Sequence, residues 1–193
     1  YVIADRTVIP PDRHADYTEA VVYLPDTYQV NDSTRRISDR TFTREEFGLP
    51  ADGFVFCCFN NSYKILPDVF DIWMRILGAV EGSVLWLVED HATAARNLRC
   101  EAEVRGVAGE RLVFASRVPL DEHLGRHRLA DLFLDTSPYN AHTTASDALW
   151  AGLPVLTRMG QSFASRVAAS LLRAIDLPEL IVETASEYER LAI

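Results

Sequence analysis

The strongest constraint on the fold comes from residues 132–157, which have the pattern of one complete strand, helix and strand. The run Leu132–Leu134 is apolar and too short for a helix, and Pro138 in the loop after it disfavours continuation. A helix should follow, with Gly152 just past its end and Pro154 preventing its extension. Two neighbouring strands that are connected through a helix are typical of a parallel sheet.

The same alternation of strands and helices extends along the chain from residue 54. Further strands are predicted at residues 54–59, 83–88, 111–115 and 180–182, and helices at 67–80, 92–104, 120–128, 162–175 and 183–193. The helix at 67–80 has the clearest signal, because its apolar residues recur at i, i+3 and i+4. The pattern predicts an α/β fold, a Rossmann-like parallel sheet with helices on both faces.

The first part of the chain has a different character. Two strand-like runs, Tyr1–Ala4 and Ala20–Leu24, are separated by polar segments, and residues 31–41 are polar and without periodicity, as in a linker. We expect residues 1–38 to be the tail of a preceding lobe plus a linker, and residues 39–193 to be one domain of a longer protein. The short first part has too few apolar residues for its own core, so it should either pack against that domain or lie loosely.

Composition excludes several classes of function. The net charge of −9 argues against a nucleic-acid partner, because domains that bind nucleic acid are usually basic. Cys57, Cys58 and Cys100 show neither a disulfide framework nor the spacing of metal ligands. The chain has no signal-peptide pattern and no apolar run of membrane length. We therefore expect a protein of the reducing cytoplasm that binds no metal, no membrane and no nucleic acid.

The predicted helix after Leu134 begins at a candidate anion site. At the carboxyl end of a parallel strand, the free amides and the positive dipole of a helix N-terminus favour phosphate. Thr143 and Thr144 can add hydroxyl donors, and Asp147 can accept hydrogen bonds from a ribose. Thr144 and Asp147 also match a capping box, which is the more common use of such a pair. The preceding His142 and the α/β context favour a ligand.

Two more loops follow strands that should end at the same sheet edge. The loop Asn60–Lys64 follows the first long strand, and a lysine there can reach a diphosphate, although a single loop lysine is more often solvated surface. The loop Ser116–His123 follows the third such strand, with Arg126 one turn further on. On its own, His123 would be an ordinary surface histidine, and Arg126 would pair with Glu122 at i, i+4.

The segment 140–157, NAHTTASDALWAGLPVLT, closely resembles the nucleotide-sugar motif of the O-GlcNAc transferase family, which includes the SPINDLY-type transferases. The resemblance covers the whole chain, strongly from Phe54 to Val182 and weakly before Asp39. It implies the C-terminal, donor-binding lobe of a GT-B glycosyltransferase that transfers a sugar with inversion to serine or threonine hydroxyls of a protein. UDP-N-acetylglucosamine is the expected donor, and GDP-fucose is the closest rival because SPINDLY-type members share these motifs.

The resemblance also assigns roles to residues. Lys64 matches the family lysine that contacts the donor β-phosphate and supports the departing nucleotide, so it is the assigned catalytic residue. The backbone at Val118 and the ring of His123 match positions that hold the base. The other donor-binding assignments are Asn61, Arg126, the phosphate contacts His142, Thr143 and Thr144, and the ribose contact Asp147. Asn61 stands where the family often has glutamine, and Leu120 where the animal enzymes have lysine.

The resemblance leaves alternatives open. A non-catalytic nucleotide-sugar sensor or scaffold would keep the same binding residues, and a sugar-epimerase or glycogen-synthase-like GT-B enzyme is a third class. In the family, a tetratricopeptide array holds protein substrates and the first lobe activates the acceptor, and no metal is needed. Arg166 lies in another family segment and is expected to be structural, paired with a carboxylate or a helix end.

We predict that the 193-residue chain by itself transfers little or no sugar and binds nucleotide weakly at best. The reason is that half of a GT-B site and the acceptor-activating groups belong to the first lobe. The purified chain would be incubated with UDP-N-acetylglucosamine and a serine-containing peptide, and the products examined by mass spectrometry. Substantial transfer to the peptide would contradict the prediction.

Overall fold

The computed structural model describes residues 1–193, with eight strands and six helices. The strands are β1 (Val2–Ala4), β2 (Val21–Tyr23), β3 (Val55–Cys58), β4 (Val84–Val88), β5 (Leu112–Ala115), β6 (Leu132–Leu134), β7 (Val155–Arg158) and β8 (Ile181–Val182). The helices are α1 (Pro67–Ala79), α2 (Ala92–Val104), α3 (Leu120–Arg126), α4 (Thr143–Trp150), α5 (Val167–Ala174) and α6 (Ala185–Ala192).

Strands β3 to β8 form one parallel sheet in the order β5-β4-β3-β6-β7-β8, which confirms the predicted fold class. The chain first moves outward from β3 through β4 to β5, and then returns to add β6 on the other side of β3. Right-handed crossovers then place α1 and α2 on one face and α3, α4 and α5 on the other. Helix α6 packs against α1 and β7, and α4 packs against α3 and α5.

The core lies between the sheet and both layers of helices. The four residues of β3 are fully buried, as expected for a central strand covered on both faces. Large side chains from β3, β4, β6 and α1 fill the core, including Phe56, Trp86, Phe133 and Trp73. Every helix is too short or too polar to serve as a transmembrane span.

The first part of the chain packs against the domain rather than lying loosely. Strands β1 and β2 pair in parallel, and Ala4, Val8 and Ile9 form a small apolar cluster with Val167 of α5. Asp5 ties this part to α5, because its carboxylate accepts a hydrogen bond from the Ser170 hydroxyl at 2.6 Å. The contact gives the two short strands a core that they lack on their own.

Arg166 is structural, as predicted, but its partners differ from those expected. Its Nε donates to the carbonyl oxygen of Thr7 at 2.5 Å, and its Nη1 donates to that of Gly160 at 2.9 Å. Both acceptors are neutral backbone groups, rather than a carboxylate or a helix end. Arg166 therefore connects the first part of the chain to the loop after β7.

Two predicted helices are shorter in the structure. The stretch 162–175 begins with a 3₁₀ turn at Phe163–Ser165, and α5 starts only at Val167. The Ser165 hydroxyl donates to the Ser162 carbonyl, and such local bonds compete with a regular helix. Helix α3 ends at Arg126 and is followed by a 3₁₀ turn, where the prediction had it continue.

The end of α4 was predicted correctly. Gly152 has a φ of +85°, which a glycine adopts without the steric cost of a side chain. The Leu153 amide donates to Ala148 O at 2.9 Å and the Gly152 amide to Leu149 O at 3.0 Å, the two bonds of a Schellman motif. Pro154 then leads directly into β7.

Replacing Tyr188 with phenylalanine should destabilise the fold by about 1–2 kcal/mol, because a buried donor and acceptor both lose their partner. The Tyr188 hydroxyl donates to Asp135 O at 2.9 Å and accepts from Trp73 Nε1 at 3.3 Å. Chemical denaturation would measure the change. Tyr63→Phe is the matched control, because Tyr63 is 72% exposed and should give no shift; equal effects of the two variants would contradict the assignment.

Candidate functional site

The reversal of the strand order between β3 and β6 places two loops side by side at the carboxyl edge of the sheet. Residues 59–66 follow β3 and residues 135–142 follow β6. In open parallel sheets, a crevice forms at such a reversal and is the usual ligand site. The structure brings most of the predicted site residues to this edge.

Lys64 bridges the two loops. It ends a 3₁₀ turn at Ser62–Lys64, and its Nζ donates to Asn140 O at 2.8 Å and lies 4.1 Å from the centre of the Tyr139 ring. Burial lowers the pKa of Lys64, while the Asp135 carboxyl raises it. The chain has eighteen arginines and this single lysine. A half-buried ammonium with one protein acceptor keeps donors available for an anion.

A buried network holds the two loops together. The Asn60 amide nitrogen donates to Thr136 Oγ1 at 2.9 Å, and the Thr136 hydroxyl donates to Tyr139 O at 2.7 Å. The Thr144 hydroxyl of α4 donates to Asn60 Oδ1 at 2.5 Å. Because Thr144 uses its hydroxyl proton within the protein, its backbone amide is the group left to meet a phosphate.

Asp135 fastens the loop that leads to α4. One carboxylate oxygen accepts from the amides of Thr136 and Ala141, at 2.7 and 2.6 Å, and the other accepts from the Thr157 hydroxyl at 2.6 Å. Burial raises the pKa of Asp135 to about 7, while the three donors and Lys64 lower it. Asp135 therefore holds the loop between β6 and α4 near both of its ends, at Thr136 and at Ala141.

The N-terminus of α4 is not capped in the way that the sequence predicts. The predicted box between Thr144 and Asp147 is not formed, and the capping position is His142, whose side chain makes no capping bond. The first main-chain bond there joins the Ser146 amide to His142 O at 3.0 Å. The amides of the first turn thus have no acceptor within the helix. Thr143, the first residue of the helix, is exposed.

His142 stands at this helix start beside Tyr139. The two rings are stacked, with centroids 5.0 Å apart and planes inclined by 19°. Burial lowers the pKa of His142, and the Lys64 charge lowers it further. A neutral imidazole with one face on tyrosine therefore lies near Lys64 at the start of α4.

A pocket of about 330 Å³ lies beside these loops, between the loop after β5 and the start of α3 and α4. It is lined by Phe59, Asn61, Val88, Arg117, Val118, Leu120, His123, Arg126 and Thr144. Neither backbone group of Val118 has a main-chain partner, so both are free for a ligand. The Asn61 amide oxygen accepts from Arg117 Nη2 at a long 3.5 Å.

His123 is held in a single tautomer at this pocket. Burial, with help from His127 and Arg126, lowers the pKa of His123 to about 3, so the ring is neutral at pH 7. Its Nδ1 faces Arg126 Nη2 at 2.8 Å. A guanidinium only donates, so Nδ1 accepts and the proton resides on Nε2. The neutral ring packs at 5.2 Å from Phe59, and such a ring can stack on a nucleobase.

Arg126 is more deeply buried than a ligand-contacting arginine need be. Its residue is 1% exposed, its Nη1 donates to Ser116 O at 2.7 Å, and its guanidinium lies 4.9 Å from the centre of the Phe59 ring. Burial lowers its pKa to about 10, which leaves it charged at pH 7. The predicted pairing with Glu122 is absent. In this structure Arg126 orients His123 and the loop after β5.

Asp147 is paired with a residue from the linker. Its Oδ1 accepts from Arg35 Nη1, and the side chains of Arg35 and Asp147 are 12% and 7% exposed. Burial raises the pKa of Asp147, and the hydrogen bond and charge of Arg35 oppose that rise. No sequence pattern indicates this partner, because Arg35 lies in a stretch without periodicity.

Sequence reasoning missed the buried residues whose hydrogen bonds hold the loops of the site in place. Asn60, Asp135 and Thr136 are polar, buried and placed directly after apolar strands. That position was the available signal, since a buried polar group at a strand end must have partners. No group of three or more histidine, cysteine, aspartate or glutamate side chains is arranged to hold a metal ion.

Comparison with known proteins identifies the family. Residues 38–193 match the model of glycosyl transferase family 41. The chain belongs to this family. A solved structure of a mutant Thermobaculum terrenum O-GlcNAc transferase aligns with a TM-score of 0.85 at 34% identity, covering 100% of this chain and 36% of that one. The family 41 fold is therefore the one described above.

Curated members of family 41 are similar along the sequence. The probable UDP-N-acetylglucosamine--peptide N-acetylglucosaminyltransferase SEC of Arabidopsis thaliana is 38% identical over 199 residues, which cover 100% of this chain and 20% of the relative. The UDP-N-acetylglucosamine--peptide N-acetylglucosaminyltransferase of Caenorhabditis elegans is 42% identical over 151 residues, 78% of this chain and 13% of the relative. The chain thus spans a fifth or less of the length of these two relatives.

Replacing Asp135 with alanine should destabilise the protein by about 1–3 kcal/mol, because three buried donors lose their acceptor. The unpaired amide of Ala141 should also exchange faster with solvent, since it would lose its only acceptor. Denaturation and hydrogen exchange would measure the two effects. Asp52→Ala, at an exposed position, is the control; an Asp135→Ala protein as stable as this control would show that Asp135 does not hold the loop.

Proposed function

We propose that this chain is the donor-binding lobe of an inverting protein O-glycosyltransferase, which moves N-acetylglucosamine from UDP-N-acetylglucosamine to serine or threonine hydroxyls. The observation that carries the proposal is the arrangement of Lys64, the free amides of α4 and the His123 pocket around one crevice in a member of family 41. The names of the Arabidopsis and Caenorhabditis relatives, both UDP-N-acetylglucosamine--peptide N-acetylglucosaminyltransferases, support the choice of donor.

The pocket at His123 is proposed to hold the base. The neutral imidazole offers a face for stacking, and the free backbone groups of Val118 can read the hydrogen-bonding edge of a uracil. Asn61 at the rim is proposed as a further donor contact. Arg126 supports this subsite from within, through His123.

The diphosphate is proposed to lie between Lys64 and the first turn of α4. The helix amides and the ammonium place positive charge on either side of the position that a β-phosphate would occupy. The exposed Thr143 hydroxyl, the Thr144 amide and the His142 ring complete the assigned phosphate contacts. This local positive charge explains how a chain with a net charge of −9 can bind an anionic donor.

The reaction follows from this placement. The acceptor hydroxyl oxygen attacks the anomeric carbon as the bond from that carbon to the β-phosphate oxygen breaks, and the electron pair of that bond passes to the diphosphate. Lys64 and the α4 amides stabilise the charge that develops there, which is the kind of preorganised electrostatic contribution that dominates such steps. The proton of the acceptor passes to a base that we place in the preceding lobe.

Several finer properties remain part of the same proposal. We infer that the full protein carries a tetratricopeptide array for protein substrates, acts in the cytoplasm and needs no metal ion. Lys64 and the helix amides supply the charge stabilisation that a divalent ion supplies in other transferases. Titrations with and without EDTA would test the last point, because a metal-dependent site would lose affinity in the chelator.

Calorimetric titration of the chain with UDP, GDP and UDP-N-acetylglucosamine tests the donor assignment. We expect UDP to bind, and Lys64→Ala to weaken it by roughly 10- to 100-fold, the equivalent of one charge-assisted hydrogen bond. Arg96→Ala, which removes an exposed charge from α2, should leave binding unchanged. Tighter binding of GDP would favour a fucosyl donor. Because the isolated chain is expected to bind weakly at best, a null result is repeated with a longer protein that contains this chain and a first lobe, and no nucleotide binding by that protein would contradict the proposal.

A second measurement separates an enzyme from a scaffold. In a longer protein that contains this chain and a first lobe, Lys64→Ala should abolish sugar transfer to a peptide, because the leaving diphosphate loses its counter-charge. Mass spectrometry of the peptide would quantify the loss. A scaffold would show no transfer before the substitution and unchanged partner binding after it.

A further inference from the structure

The polar linker is bound to the two helices that carry the proposed nucleotide contacts. We call residues 31–38 the strap. Near its start, Asn31 Oδ1 accepts from the Ser146 hydroxyl of α4 at 2.5 Å. At its end, the Ser38 amide donates to Asp121 O of α3 at 3.0 Å. Between these points, Arg35 reaches Asp147 on α4. A segment predicted to be an unstructured connection therefore has specific partners on α3 and α4.

Arg35 is fixed on several sides. Its Nη1 donates to Asp147 Oδ1, its Nε donates to Asp32 O at 3.3 Å, and its guanidinium carbon lies 5.5 Å from the centre of the Trp150 ring. Its Nη2 is buried without a partner. A long side chain loses considerable rotamer entropy when it is held in this way, so the contact with Asp147 must outweigh that cost.

Asp147 has a single partner in the protein. Oδ1 is bound by Arg35, whereas Oδ2 accepts no hydrogen bond and is not among the buried unpartnered atoms. The carboxylate thus has one oxygen anchored and one oxygen available. This is the arrangement that a ribose hydroxyl needs, because a hydroxyl donates to a carboxylate oxygen with a fixed position.

Arg35 is also the one charged group that changes the ionisation of Asp147. Burial raises the pKa of Asp147, and Arg35 alone lowers it. Other charged or titratable groups lie on the elements packed against α4: Asp121, Glu122, His123 and Arg126 on α3, Arg158 on β7, Arg166 and Arg173 at α5, and Asp32 and Arg36 in the strap. None of them shifts the pKa of Asp147. Without Arg35, the half-buried carboxyl would take up a proton at a higher pH.

We propose that Arg35 is a positioning residue of the donor site, which holds Asp147 ionised with Oδ1 fixed and Oδ2 free for a ribose hydroxyl of the nucleoside diphosphate. This inference rests on the proposed function, since it assumes that a nucleotide occupies the crevice. It assigns a role in donor binding to the strap, which makes no assigned contact with the nucleotide itself.

The first test is the pH dependence of nucleotide binding. Arg35→Met keeps the length and apolar contact of the side chain and removes its charge. Binding that needs the Asp147 carboxylate is complete above the pKa of that group and is lost as the pH falls through it. Because the substitution raises this pKa, affinity for UDP should begin to fall at a higher pH in Arg35→Met than in the unmodified chain.

Calorimetric titrations between pH 5.5 and 8.5 would give these curves, and GDP would replace UDP if it binds more tightly. We expect a loss of roughly 10-fold at the acidic end and a smaller loss at pH 8.5, as for one charge-assisted contact. Arg35→Lys should restore part of the affinity. Arg36→Met is the matched control, because this neighbouring arginine is exposed and makes no side-chain hydrogen bond.

The second test compares UDP with 2′,3′-dideoxy-UDP. The unmodified chain should prefer UDP, because only UDP has the ribose hydroxyls that Asp147 accepts. Arg35→Met should lose most of this preference, since the substitution and the missing hydroxyls disturb the same contact. A merely structural role of the strap would weaken both ligands by the same factor, and would overturn the proposal.

The remaining outcomes are also decisive. If Arg35→Met unfolds, Arg35→Lys and Asp147→Asn are titrated instead: Asp147→Asn should lose the preference between the two ligands, and Arg35→Lys should lose part of it. Equal affinity of Arg35→Met and the unmodified chain at every pH overturns this proposal alone, and tighter binding by Arg35→Met overturns it because Arg35 would then compete with the ribose. If neither the unmodified chain nor a longer protein that adds a first lobe binds UDP or GDP, the proposed function is overturned as well.

Discussion

The pairing of β3 with β6 brings together two loops whose hydrogen-bonded residues lie 76 positions apart in the chain. Asn60 follows one strand and Thr136 the other, and the bond between them is buried. Asp135 then fixes the rest of the second loop, so that α4 begins with its free amides at the crevice. Lys64, the pocket at His123 and the start of α4 all depend on this junction for their relative positions.

The strands of the sheet and its most amphipathic helix follow from sequence pattern because burial dictates them. A central parallel strand is apolar throughout, and the amphipathic helices show their own period, so β3, β4 and α1 can be recognised without knowledge of their neighbours. The C-terminal end of α4 can likewise be predicted from local sequence, since Gly152 and Pro154 act through backbone conformation alone. These elements could be predicted to within one or two residues.

The site could be predicted only in part, because the partners of several of its side chains lie far away in the sequence. A Thr-x-x-Asp spacing favours a cap, yet Thr144 bonds to Asn60 and Asp147 to Arg35, which lie far away in sequence. Local spacing contains no information on such partners. Arg126 shows the same limit, because its neighbour Glu122 is the obvious local partner and the burial that turns it toward Ser116 depends on the whole domain.

The central claim is that three loops at one sheet edge form a single nucleotide-sugar site, and chemical-shift mapping of a ¹⁵N-labelled chain with UDP tests it most directly. We predict that the amides of residues 60–64, 116–120 and 142–147 shift together with one binding curve. Amides at the opposite edge, at Gly82 and Gly152, should not move. Shifts confined to another surface, or separate curves for the three loops, would contradict the account.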